Sequence, residues 1–321
     1  MESVYFNARS KAKEAKLLSV ENLEKLAKSG SLDEVVKNLL DLKLIKGEQI
    51  ESFADLEKIS NREEQEFLDF LKHESVHEKL TKFFLVKYDY FNLESLYFNI
   101  VLNVGDLPMM FEGQTKISTM KKCLETKTYE GLSSIMQELL SSLEKSADKS
   151  YFFVDNEFKK AMHKEKLLFA KVSKDLLECE NYLIDLKNIE LALRVRDKKT
   201  FALVKIDGGT LEDNFFETLC TKDLFSILSD TKFSTYKEVI EMIVNAKKEN
   251  KPFEKFDFLM DCFPITFFDD KKYVAEKFLP YIRYCYLKLA EIKNLKIIFD
   301  GLNSNQNRKK LCSSLRRVYV K

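Results

Sequence analysis

The chain has 321 residues with only 8 Gly and 4 Pro, 45% hydrophobic and 33% charged, a balance that predicts long helices joined by short connections and leaves room for several domain-sized units. A formal charge of +1 gives no global field to steer the chain towards nucleic acid, and the 26 Phe and 13 Tyr fall mostly at helical spacing, as core material. Six cysteines, at 123, 179, 220, 262, 285 and 312, lie too far apart for a C-x-x-C metal or redox pair and read as free thiols in a reducing compartment.

In chain order, the opening "MESVYFNARSKAKEAK" is a charged amphipathic stretch without the apolar core of a secretory signal. Ser31 with Glu34 forms a capping box ahead of the amphipathic helix "SLDEVVKNLL". Then comes His73-Glu74-Ser75-Val76-His77, the H-E-x-x-H pattern of zinc hydrolases, which needs both imidazoles on one face of an unbroken helix. Three features weigh against that chemistry. Ser75 and Glu78 make a second capping box, which would start a new helix inside the motif. The apolar stripe changes phase there, from Phe67 and Leu71 to Val76, Leu80, Phe83 and Phe84. A third ligand is wanting, because Glu94 belongs to a different pattern and His163 stands alone. Further on, "SLYFNIVLNVG" is the longest uncharged apolar-rich run near residue 100. It has eleven residues, against about twenty needed to cross a bilayer, so no direct membrane span is expected.

Three segments line up internally: "YDYFNLESLYF" (88–98), "LIDLKNIELAL" (183–193) and "LAEIKNLKIIF" (289–299). Each holds an acid, two residues, then Asn: Asp89 and Asn92, Asp185 and Asn188, Glu291 and Asn294. A Ser or Thr that starts an amphipathic helix precedes each Asn by 61, 60 and 59 residues, at Ser31, Thr128 and Thr235. The spacing predicts three helical units, 1–113, 114–210 and 211–321. Acid and Asn three apart share a helix face, and poor helix formers recurring in mid-helix point to hydrogen bonds that hold neighbouring helices the same way in each unit. The residues aligned with His73 and His77 are Phe169 and Ser173 in the second unit, and Ala275 and Leu279 in the third. Unit boundaries fall at "NVGDLPMMFEG" and "KIDGGTLED", the latter read as a helix stop on Gly with Thr210 as the next N-cap rather than as a phosphate loop. "ENKPFEKF" (249–256) reads as an inter-helix loop. The C-terminal segment carries Arg308, Lys309, Lys310, Arg316 and Arg317 with no acid: a solvated helix end, or a contact for an acidic partner or anionic lipid heads.

The three acid-x-x-Asn helices, together with "YFNARSKAKEAKLLSVENLEKL", "VKIDGGTLEDNFFETL" and "YIRYCYLKLAEIKNLKIIFDGL", resemble the C subunit of prokaryotic A/V-type ATPases, whose eukaryotic counterpart is the d subunit of the V-ATPase, over essentially the whole chain. Ser75 and the two histidines stand where relatives often have proline. The resemblance implies an all-α funnel of three similar units about a pseudo-threefold axis. It implies a cytoplasmic, membrane-peripheral, non-catalytic connector without a cofactor, a monomer when isolated, whose partners are the central shaft and the membrane rotor ring. Two readings of other classes stand beside it. One is a helical-repeat scaffold for another partner, which predicts repeats of about 30–50 residues. The other is a zinc hydrolase centred on His73 and His77.

Overall fold

The computed structural model of the chain describes residues 2–74, 76–105, 107–271 and 278–318. These residues form α-helices with short connections and no strand, as the composition predicts. The first four are α1 (Glu2–Glu14), α2 (Val20–Ala27), α3 (Leu32–Asp41) and α4 (Leu56–His73). Nine follow: α5 (Glu78–Leu96), α6 (Ile117–Thr126), α7 (Ser134–Lys145), α8 (Tyr151–Ala170), α9 (Lys174–Val195), α10 (Lys198–Val204), α11 (Asp213–Thr221), α12 (Leu224–Ser229) and α13 (Lys237–Lys248). The last three are α14 (Glu254–Asp270), α15 (Leu279–Asn303) and α16 (Arg308–Ser313). The chain divides into two compact units, one of residues 77–256 and one built from both ends, 1–76 and 257–321.

Capping sets the helix starts. Ser19, Ser31, Ser133, Ser150 and Ser173 each accept a hydrogen bond from the backbone N–H three residues on, satisfying a donor that the first turn leaves unpaired. The expected box at Ser31 closes only by half: Ser31 caps Glu34, but the Glu34 carboxylate accepts from the Gly30 N–H at 2.8 Å rather than from that of Ser31. Two expected caps differ. The helix after Thr128 begins only at Ser134, because Gly131 turns the chain at φ +92° and hands the cap to Ser133. After Thr235 a 3-10 turn (Thr231–Tyr236) leads directly into α13, with no side-chain cap.

In the 77–256 unit, α5 packs on α8, and α9 packs on α11 and α13. The core between α5, α6, α7 and α8 is apolar and aromatic, with Tyr90, Leu93, Tyr97, Phe98, Leu140 and Phe158 all buried. Each such side chain contributes about 1.5–3 kcal/mol by leaving water. α5 runs on into a π-helical turn, Tyr97–Val101, closed by the Leu102 N–H on the Tyr97 carbonyl at 3.2 Å.

In the unit built from both ends, α15 is the central rod and packs against α1, α2 and α4. Phe70 of α4 sits between Tyr281 and Tyr284 of α15, with ring centroids 5.7 and 5.2 Å away. Charged pairs ring these contacts. Arg283 binds Glu14 and Asp269, Lys288 lies 2.8 Å from Glu63, and Lys296 lies 2.5 Å from Glu64.

Candidate functional site

All six acid-x-x-Asn side chains are buried, at 0–4% exposure. For the first two pairs the partners lie in the segments that lead towards the following helices. Asn92 accepts from the Met110 N–H at 2.7 Å and donates to the Phe111 carbonyl at 3.1 Å. Asn188 accepts from and donates to the backbone of one residue, Ile206, both at 2.9 Å. Asn294 does the same with Arg316, at 2.7 and 3.0 Å. A carboxamide carries one acceptor and one donor side by side, so it pairs with an extended backbone as a neighbouring strand would.

The acid one turn earlier caps the residues just beyond. Asp89 accepts from the N–H groups of Gln114 and Thr115, at 3.0 Å for each shortest contact. Asp185 accepts from the N–H of Thr210 at 2.9 Å, its hydroxyl at 2.6 Å and the Leu211 N–H at 3.2 Å. α6 then begins at Ile117 and α11 at Asp213, each three residues after the first capped residue. Thr210 is therefore spent on Asp185, and Glu212 rather than Thr210 holds the N-cap position of α11. The fit is close: a Cβ on Gly113 would lie 2.4 Å from the Asp89 carboxylate, and one on Gly209 only a little nearer the carboxylate of Asp185. Gly208 and Gly209, at φ +111° and +84°, serve this approach. A carboxylate against that turn also repels the anion a phosphate loop would hold.

The third clamp closes differently. Glu291 accepts from the Leu18 N–H at 2.5 Å, and Leu18 is 273 residues away in sequence. Leu18 stands one residue before Ser19, the N-cap of α2. Its neighbour Leu17 has a side chain where the other two clamps have glycine, and the acid there is Glu rather than Asp. Lys288 bridges Glu291 and Glu63 at 2.6 and 2.8 Å, and the two carboxylates raise its pKa above the usual lysine value although burial opposes them. The Asn at i+3 was legible in the sequence; Leu18, Gly113 and Gly209 were not read as part of the clamp. A glycine directly before each first capped residue was the available signal in two of the three.

α4 ends at His73, and α5 begins at Glu78 with His77 as its N-cap. Nδ1 of His77 accepts from the Lys79 N–H at 3.1 Å. The two imidazoles therefore do not share a continuous helix. Ser75, the expected cap, lies outside the described residues, as does Ala275. His77 occupies the position that Ser173 holds on α9, and both cap the helix that carries the clamp twelve residues on. Glu74 is paired with Arg9 at 2.6 Å. Among the described residues no group of three or more His, Cys, Asp or Glu is placed to hold a metal ion.

Glu94 and His163, set aside above as zinc ligands, are both half-buried. Glu94, one turn from Tyr90 on α5, is pushed up to about 7 by burial and by the charge of Asp155, with Lys159 opposing. His163 on α8 is pushed down to about 3 by burial and by Lys166 and Lys187, and its Nδ1 has no hydrogen-bond partner.

The basic C-terminal segment splits in two. Arg316 lies 2.8 Å from Asp261, and Arg317 donates to Thr266 at 3.0 Å and lies 3.4 Å from Asp269. Lys309 and Lys310 on α16 are exposed, with Arg308 half-buried beside them. The cysteines are all free thiols.

Fold and site together define an all-helical protein whose repeated buried acids and amides grip its own backbone. The profile of the ATP synthase (C/AC39) subunit family matches residues 6–311. The C subunit of the A-type ATP synthase of Methanocaldococcus jannaschii is 24% identical over 341 residues, covering 94% of this chain and 83% of that protein. Its namesake from Pyrococcus furiosus is 26% identical over 257 residues, covering 74% and 69%. The chain belongs to the ATP synthase (C/AC39) subunit family.

Proposed function

We propose that the chain is a non-catalytic connector in the central stalk of a rotary A/V-type ATPase, joining the rotor shaft to the membrane ion-translocating ring. The observation that carries this reading is the family match along residues 6–311, in a chain whose repeated polar residues are all committed to its own backbone. A part that passes torque must resist deformation. Close-packed helices with buried side-chain-to-backbone clamps resist it, because a clamp cannot slip without stranding unpaired polar groups. The recurrence of the clamp supports three similar units, 1–113, 114–210 and 211–321, arranged about a pseudo-threefold axis. Among the described residues no helix is long and apolar enough to cross a membrane, so attachment to the ring would run through protein contacts. Lys309 and Lys310 are the basic residues of the C-terminal segment best placed to meet an acidic partner, with Arg308, Arg316 and Arg317 partly or wholly engaged within the chain.

The test is affinity purification of the tagged protein from gently solubilised native membranes, followed by mass spectrometry. Recovery of head, shaft and ring proteins in fixed ratio is the expected result. Recovery of this chain alone, with no other ATPase component even at low detergent, would overturn the connector reading.

A further inference from the structure

The first two clamps of the 77–256 unit differ in what lies over them. At the second, Phe215, five residues after the first capped residue, packs on Phe233 and Tyr236 with centroids 4.7 and 5.8 Å away. Tyr182, three residues before Asp185, stacks on Tyr236 at 5.8 Å. These rings pack together beside the clamp, and burial with the Asp185 charge pushes the Tyr236 phenol up to about 12. At the first clamp the corresponding positions hold Thr119 and Val86, and the space is a cleft of about 530 Å³. That volume is in the range of small-molecule sites, roughly 300–1,000 Å³.

Glu165 lines this cleft and is only 6% exposed. Its Oε2 accepts from the Tyr90 hydroxyl at 2.7 Å and from Ser133 at 2.8 Å. Both bonds fall on that one oxygen, and Oε1 carries none. Oε1 keeps contact with solvent and is open to a cationic donor, which a charge-assisted bond would hold more strongly than water does. No lysine or arginine of the described residues pairs with Glu165. Lys116 also lines the cleft; it is exposed and makes no ion pair among the described residues. Val86, Leu132, Met136 and Phe169 supply an apolar wall.

We propose that this cleft binds a small zwitterion of the amino-acid class, with its ammonium on Oε1 of Glu165, its carboxylate towards Lys116 and its apolar part against Met136 and Phe169. The ammonium donates to the open Oε1, and Thr119 lies in the same lining. A metal ion is a poorer fit, since no group of three ligating side chains is present among the described residues.

The experiment uses the full chain and saturation-transfer NMR with each of the common L-amino acids as separate probes, and with putrescine and acetate as ammonium-only and carboxylate-only probes. At least one amino acid is expected to bind better than either single-charge probe. Glu165→Gln keeps an acceptor for Tyr90 and Ser133 but loses the charge, and should weaken binding at least about tenfold. Thr119→Phe refills the cleft with the ring that position 215 carries, and should abolish binding while leaving the melting temperature unchanged or higher. Failure of every amino acid to bind at about 10 mM, an affinity weaker than about −3 kcal/mol, would overturn the proposal. So would binding that survives Thr119→Phe, a readout that holds even where Glu165→Gln fails to fold.

Discussion

At the residue scale, the clamps concentrate energy in a few polar atoms. Asn188 is fully buried and satisfies both backbone groups of Ile206. Asn188→Ala leaves a donor and an acceptor unpaired and should cost about 2–4 kcal/mol, read as a drop in the urea midpoint at unchanged slope. Gly209→Ala places a methyl group against Asp185 at a positive φ, and should cost about 1–3 kcal/mol. Gly47, at φ +110° with nothing within 4 Å, is the control for backbone strain alone. Glu94 adds a pH term. Folded, it keeps its proton up to about 7, against an ordinary value of 4.5, so between those values the folded state binds more protons. Its contribution is present below that window and is lost as the pH rises through it. Glu94→Gln should therefore gain stability relative to the wild type between about pH 5 and about pH 7, measured by urea unfolding at each pH. No change in the difference across that range would show that Glu94 is not protonated in the folded protein.

At the element scale, the caps explain the histidine motif. His77 does for α5 what Ser173 does for α9. His77→Ser should leave stability within about 0.5 kcal/mol, and His77→Ala should cost about 1 kcal/mol, by thermal unfolding. A zinc-dependent gain in stability of the wild type that the Ser variant lacks would restore the metal reading. The helices and the acid-x-x-Asn pairs were legible because each depends on local spacing, and apolar periodicity and capping residues are written within one element. The cap assignments at Thr128, Thr210 and Thr235 failed where something outside the local pattern took over. Asp185 outcompeted the helix for Thr210, a tertiary contact across 25 residues. The cleft was illegible for the same reason, since Thr119 is unremarkable until it stands where the sister clamp has a ring.

At the scale of the whole molecule, the unit made of 1–76 and 257–321 depends on residues next to both chain ends. Deleting residues from Ser314 onward removes the Arg316 backbone from Asn294 and the Arg316 guanidinium from Asp261. That truncation should cost about 2–4 kcal/mol, and a chain extended past Lys321 by a flexible tag should keep its full stability. Equal stability of truncated and full chains would show that this clamp contributes nothing. The sequence showed the Asn but not what it grips, because a backbone group can be any residue and Leu18 lies 273 positions from Glu291.

That separation also sets an order of events. A ribosome releases Leu18 long before it makes Glu291, and Arg316 follows 22 residues after Asn294. During synthesis the amide of Leu18 has only water to bind, and the helix that Ser19 caps waits beside it. The 77–256 unit, by contrast, holds both of its clamps within one continuous stretch and can close them while the tail is still being made. Leu18 and Glu291 meet across a loop of 273 residues, whose closure entropy must be met before any contact rewards it. The newborn protein is thus fastened at this seam after the 77–256 unit can close, so that a chain stalled before Glu291 is left open at the place where Leu18 would be joined.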